Sequence, residues 1–119
     1  MRDHRKLRAF ELADDLVLAV YSATKTFPQD EIFGLTSQLR RASVSTASNI
    51  VEGSARNSNA DFLRFLDMAF GSIREVEYQL TIACRLGYTN PEVSTTLANQ
   101  ADETARVLAG LIRSLRSKA

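Results

Sequence analysis

Along this chain, apolar and small residues return at alternating steps of three and four in four separate stretches. Phe10, Ala13, Val17, Val20, Thr24 and Phe27 form the first set. Phe62, Leu66, Ala69, Ile73, Val76, Leu80 and Ala83 form the third, and Leu97, Ala101, Thr104, Leu108, Leu111 and Leu115 the fourth. Such spacing lines residues along one face of an α-helix, whereas a strand alternates every second residue. The second stretch is more polar: Leu39, Ala42, Ile50 and Gly53 keep the period while small polar residues fill it. Between the stretches lie breaks. Pro28 disfavours helical dihedrals in Phe27, and Asn57-Ser58-Asn59 separates the second stretch from the third, with Asn59 the expected cap and Asp61 complementing the helix start. Gly87 closes the third, and Asn90-Pro91-Glu92 opens the fourth with a cap, a proline at the first helical position and an early acid. The pattern predicts helices over about residues 5–26, 35–55, 60–86 and 91–117, within one domain spanning residues 1–119. With such short connections, an all-α, antiparallel up-and-down four-helix bundle is the simplest arrangement.

Two segments carry more apolar surface than a solitary bundle uses. Phe62, Leu63, Phe65, Leu66, Met68, Ala69 and Phe70 make one half of the third helix hydrophobic nearly all round, and such a helix needs burial on more than one side. Leu12, Leu16, Ala19 and Ala23 flank the main stripe of the first helix in the same way. A wide core face and a subunit interface both account for the surplus.

The second helix has the opposite character. Arg41, Ser45, Asn49 and Glu52 recur at steps of four, four and three and share one face, with Arg40, Ser48 and Arg56 at its margin. In the third helix Ser72 and Glu75 offer a similar small step beside an acid. An arginine in a desolvated place needs a carboxylate partner, so Glu52 or Glu75 is the expected partner of Arg41. The stripe reads either as an interhelix or intersubunit network that fixes register, or as a site for an anionic ligand such as a phosphate backbone.

Composition narrows the chemistry. A zinc or iron–sulfur site needs about four Cys or His ligands, and this chain has only Cys84 and His4. Neither a metal nor a cofactor is expected. Cys84, near the end of an apolar stripe, reads as a small core hydrophobe, and His4 lies in the N-terminal arm, so no catalytic pair is expected and the chain reads as no enzyme. The longest apolar run, Leu16 to Tyr21, is far short of the ~20 residues that span a bilayer, and the first residues lack the uninterrupted apolar stretch of a secretory signal. A cytoplasmic protein without membrane contact is the expectation. Fifteen basic residues against fourteen acidic ones give a net charge of +1, yet the distribution is uneven: +3 over residues 1–9, −4 over residues 10–39 and +2 over residues 40–56. Basic residues near both termini suit phosphate contacts, and Arg113 and Arg116 also suit the dipole of a helix C-terminus.

The run Phe27-Pro28-Gln29-Asp30-Glu31-Ile32-Phe33-Gly34-Leu35-Thr36-Ser37-Gln38-Leu39-Arg40-Arg41-Ala42, followed by Ser45, Asn49-Ile50-Val51-Glu52-Gly53 and Arg56, forms a long ordered motif. Phe62, Phe65-Leu66, Ala69, Gly71-Ser72 and Glu75 make a second block. Together they resemble the bacterial four-helix-bundle proteins related to those encoded in intervening sequences of 23S ribosomal RNA genes, whose relatives include the accessory variability protein of diversity-generating retroelements. The resemblance covers essentially the whole chain. It implies a ring-shaped homopentamer in which Arg41, Asn49, Glu52 and Glu75 belong to a shared polar network, joined by Ser45 and Ser72 on the same faces. The retroelement relative resembles an RNA-binding accessory of a reverse transcriptase. The expected function is therefore a non-enzymatic, homo-oligomeric binding or scaffold module that contacts RNA, or an RNA-processing protein, through Arg40, Arg41, Arg56, Arg113 and Arg116. A purely structural or protein-binding pentamer without nucleic-acid affinity is the alternative. A small-molecule enzyme with its site at subunit boundaries, around Glu52 and Glu75, is the third reading.

Overall fold

Four helices account for most of the computed structural model, which describes residues 2–118; Met1 and Ala119 lie outside the described residues. They are α1 (Arg8–Thr24), α2 (Leu35–Ser54), α3 (Asn59–Arg85) and α4 (Pro91–Ser117), and no strand occurs among the described residues. α1 is shorter at both ends than its periodicity predicts. Leu7 is extended (φ −87°, ψ 126°) and separates α1 from a 3-10 turn over His4–Lys6, which the Asp3 side chain caps by accepting the Arg5 N–H at 3.1 Å. The far end stops before Pro28, with the Phe27 N–H donating to the Thr24 carbonyl at 3.1 Å.

The other boundaries follow capping chemistry. α3 is capped by Ser58, whose Oγ accepts the Asp61 N–H at 3.1 Å, and not by Asn59, which is the first helical residue. Its C-terminus ends at Gly87, where φ is +76°. That left-handed geometry suits glycine and returns the Tyr88 N–H to the Ala83 carbonyl at 2.9 Å. Asn90 Oδ1 accepts the Val93 N–H at 2.8 Å, and Pro91 opens α4. α2 follows Gly34, which has no side chain to cap it; the Glu31 carboxylate accepts the Leu35 N–H instead, at 3.0 Å.

α1 packs on α2 and α4, and α3 packs on α2 and α4. The helices surround one core that extends along a body of 45 × 23 × 19 Å. In α3 the buried stripe is Phe62, Leu66, Ala69, Ile73, Val76, Leu80 and Ala83, as its period predicts. The first stripe is buried as predicted at Ala13, Val20, Thr24 and Phe27 and shifts by one position at the other two. Ala9, Ala13, Leu16 and Val20 are buried, whereas Phe10 and Val17 are half-buried. α4 shows the same displacement at its end, burying Ala105 and Ile112 in place of Leu111 and Leu115.

Small residues bring α2 and α3 together. A β-carbon added at Gly53 would stand 2.8 Å from Phe65 Cβ and 3.1 Å from Phe62 Cδ1. Hydroxyls that enter the core on this helix satisfy themselves locally: Thr46 donates to the Ala42 carbonyl at 2.9 Å and Ser54 to the Ile50 carbonyl at 2.7 Å. Local satisfaction removes most of the cost of burying a hydroxyl.

Candidate functional site

The polar face of α2 divides into two parts. Ser45 Oγ lies 3.0 Å from Ser72 Oγ of α3. Asn49 Nδ2 donates back to the Ser45 carbonyl at 2.9 Å and to Ser45 Oγ at 3.2 Å. These three residues form an interhelix network of the kind the spacing predicts. Arg41 and Glu75 border a neighbouring hollow with Phe33, Ser37, Gln38 and Ser45. Both are exposed, and neither makes an ion pair with a described residue of the same chain. Glu52 is two turns beyond Ser45 on α2 and borders a different hollow, beside Asp14 and Val17 of α1. Arg41 is therefore not desolvated within one chain, and neither acid reaches it there.

The five arginines predicted to meet phosphate also separate. Arg40 turns onto α1: its Nε donates to Thr24 Oγ1 at 2.8 Å, and its guanidinium lies 4.7 Å from the Tyr21 ring centroid. The 100° step per residue in a helix leaves the adjacent Arg41 facing outward. Arg56, by contrast, stands just beyond the C-terminal end of α2, with its guanidinium 4.6 Å from the Phe65 ring centroid. Arg116 pairs with Asp67 of α3 at 2.6 Å, and Arg113, one turn earlier in α4, is exposed. Arg56, Arg113 and Arg116 thus belong to the end of the molecule where α2 stops, α3 starts and α4 stops, while Arg40 and Arg41 lie more than three turns away along α2.

Two further arginines complete this basic end. Arg64 places its guanidinium 4.8 Å from the same Phe65 ring. Arg2 sits over Phe62 at 4.3 Å, donates from Nη1 to the Arg56 carbonyl at 3.0 Å and from Nη2 to Asn59 Oδ1, while its backbone N–H reaches the Ser54 carbonyl at 3.0 Å. The N-terminal arm is thereby fastened across the turn between α2 and α3. Sequence periodicity carries no signal for this docking, because Arg2 belongs to no helix. Three acids of the region are engaged, Asp3 with Arg5 at 2.9 Å, Asp61 with Arg64 at 3.9 Å and Asp67 with Arg116, while Glu52 in the last turn of α2 is exposed and makes no ion pair with a described residue. Hydrogen bonds from the Arg5 side chain and backbone hold the Asp3 carboxyl below its ordinary range.

Cys84 is exposed, which corrects the expectation of a core residue. It lies one position beyond Ala83, and the buried stripe passes through Ala83 instead. No group of three or more His, Cys, Asp or Glu among the described residues is placed to hold a metal ion. No helix among them is long and apolar enough to cross a membrane.

Four helices around a shared core, a hydroxyl network between the middle pair and a basic end define an all-α helical protein. Residues 5–110 match the 23S rRNA-intervening sequence protein family, and the chain belongs to that family. The crystal structure of a protein of unknown function from the S23 ribosomal protein family of Bacteroides thetaiotaomicron superposes with a TM-score of 0.81 at 24% identity, covering 87% of this chain and 97% of that one. That likeness establishes a shared fold. No curated protein matches the sequence.

Proposed function

We propose that this protein is a non-enzymatic, cytoplasmic binding module that assembles as a homopentameric ring of antiparallel four-helix subunits and contacts RNA phosphates through its basic end. The observation that carries the RNA reading is the convergence of Arg2, Arg56 and Arg64 on the buried rings of Phe62 and Phe65, with Arg116 anchored nearby on α3. Cation–π contacts orient a guanidinium without neutralising it, so the charge stays directed outward. A ring repeats this basic surface in every subunit. The test is a gel-shift titration with structured RNA at two salt concentrations. Binding is expected at about 50 mM salt and is expected to fall steeply by about 200 mM, as counterion release requires. Absence of binding at the lower salt overturns the reading.

A second reading, a structural or protein-binding ring without nucleic-acid affinity, draws support from Phe33. This residue is 94% exposed beside Arg41 and Glu75, which make no ion pair with a described residue. The same titration separates the two, since only the first reading gives salt-dependent RNA binding.

A further inference from the structure

We infer that the basic end reads the charge of the RNA backbone and not its bases, and so takes double-helical RNA in preference to a single strand of equal length. The inference rests on the RNA-binding reading above.

Phe65 is the pivot. Two guanidiniums share its ring, at 4.6 Å and 4.8 Å from the centroid, so the Arg56 and Arg64 cations stand less than about 10 Å apart. Arg56 has no side-chain hydrogen bond or ion pair with a described residue, and Arg64 makes only a long, exposed ion pair with Asp61 at 3.9 Å. The Arg56 N–H edge is free to donate to phosphate oxygens, and the pairing of Arg64 with Asp61 is weak enough to yield to one. Arg2 has a second task, because two of its five donors are held by the Arg56 carbonyl and Asn59. It fixes the backbone from which Arg56 projects.

Base recognition lacks the parts it needs here. Proteins that hold single strands stack bases on exposed aromatic rings, but Phe62 and Phe65 are only 2% and 7% exposed. One face of each of the Arg2, Arg56 and Arg64 guanidiniums is already covered by a phenyl ring. The half-buried His4 and Phe10 at this end close on each other edge to face, with ring centroids 4.7 Å apart, and the large exposed aromatics lie elsewhere. Phe33 precedes α2 and Arg56 follows it, and that helix of 20 residues spans about 30 Å. Tyr78 is about 20 Å along α3 from Arg64. The deep, narrow major groove of A-form RNA is in any case closed to side chains. Without stacking, affinity follows charge density, and a duplex presents twice the phosphate charge of a single strand per unit length.

The test is fluorescence anisotropy with the full chain and three labelled RNAs: a duplex of about 20 base pairs, a second duplex of scrambled sequence and one strand alone. The two duplexes are expected to bind within about twofold of each other and the single strand about tenfold more weakly. Arg56→Ala and Arg64→Ala are each expected to reduce the slope of log affinity against log salt by about 1, while Arg56→Lys keeps the slope. Circular dichroism of each variant checks that the helices persist. A single strand bound as tightly as the duplexes, or a clear preference between the duplexes, overturns the base-blind reading and leaves RNA binding intact. No binding to any of the three at low salt overturns both.

Discussion

The Tyr88 hydroxyl donates to Glu31 Oε2 at 2.8 Å and ties the segment before α2 to the turn between α3 and α4. The other Glu31 oxygen accepts the Leu35 N–H, so one carboxylate both caps α2 and anchors a loop 57 residues away. The Leu35 N–H and then the Tyr88 hydroxyl hold the Glu31 carboxyl below its ordinary 4.5. Its bond to Glu31 pushes the Tyr88 hydroxyl above 10.0. A depressed carboxyl pKa stabilises the fold above pH 4.5 and loses that contribution as pH falls. A raised tyrosine pKa stabilises it below pH 10.0 and loses that contribution as pH rises. Thermal unfolding across pH should therefore show Glu31→Gln flattening the acid limb and Tyr88→Phe flattening the alkaline limb. Limbs unchanged from the unsubstituted protein would contradict the clasp.

Two glycines on facing helices should respond with opposite signs to the same substitution. Gly53→Ala drives a new methyl against Phe65 Cβ, which is fixed to the α3 backbone and cannot swing away. The expected loss is about 1–3 kcal/mol, the usual cost of overpacking. Around Gly71, in the middle of α3, a β-carbon meets nothing within 4 Å. Gly71→Ala should gain about 0.5–1 kcal/mol from helix propensity. Urea denaturation of both variants measures the pair: an unchanged or higher stability for Gly53→Ala would refute the packing at Gly53, and a loss for Gly71→Ala would refute the open space at Gly71.

The hydroxyl network between α2 and α3 should register as a coupling energy. Asn49 Nδ2 donates to Ser45 Oγ, which leaves the serine hydrogen available to Ser72. Ser45→Ala, Ser72→Ala and the double variant form a thermodynamic cycle. An interaction of about 0.5–1.5 kcal/mol is expected, typical of a partly buried hydrogen bond. Strict additivity would place the two hydroxyls in water instead.

How far the sequence could be read depended on how narrow each apolar stripe was. The α3 stripe from Phe62 to Ala83 is buried at every predicted position: beyond Gly71 polar residues flank most of it and leave one solution, while the wide apolar arc from Phe62 to Phe70 buries Phe65 as well. α1 is apolar over a wider arc, so periodicity admits both the set containing Phe10 and Val17 and the set containing Ala9 and Leu16. Packing against α2 and α4 selects the second. Asn90-Pro91 and Gly87 act through local chemistry and were legible, whereas Asn57-Ser58-Asn59 offers three capping residues in a row and only backbone geometry assigns the role to Ser58. The polar network was legible for Ser45, Asn49 and Ser72, whose spacing puts them on facing helix surfaces. The basic end was legible only in part. Arg56, Arg113 and Arg116 are helix-terminal and gather by topology. Arg2 reaches them through an irregular arm, and Arg40 leaves them for a tertiary contact with Thr24 that no local pattern encodes.

Phe33 gives the assembly proposal its sharpest test. The residue just before Gly34 at the head of α2 is 94% exposed, with Ile32 beside it 47% exposed. Burying one phenylalanine side chain contributes about 1.5–3 kcal/mol, an incentive that a closed ring repeats at every subunit contact. Next to it, exposed Arg41 and Glu75 make no ion pair with a described residue of the chain. A head-to-tail contact brings unlike surfaces together and closes into a ring when the rotation permits, so opposite charges from two subunits can meet where one subunit leaves them apart. Light scattering of the protein should give five times the 13.2 kDa chain mass. Phe33→Ser should give the single-chain mass with unchanged helical circular dichroism, since Phe33 supports no core contact. Arg41→Ala should weaken assembly, with the loss shrinking at high salt, while changing the stability of the separate chain by no more than about 0.5 kcal/mol. A 13.2 kDa mass for the unsubstituted protein throughout the micromolar range would refute the ring and leave Phe33 without a structural role.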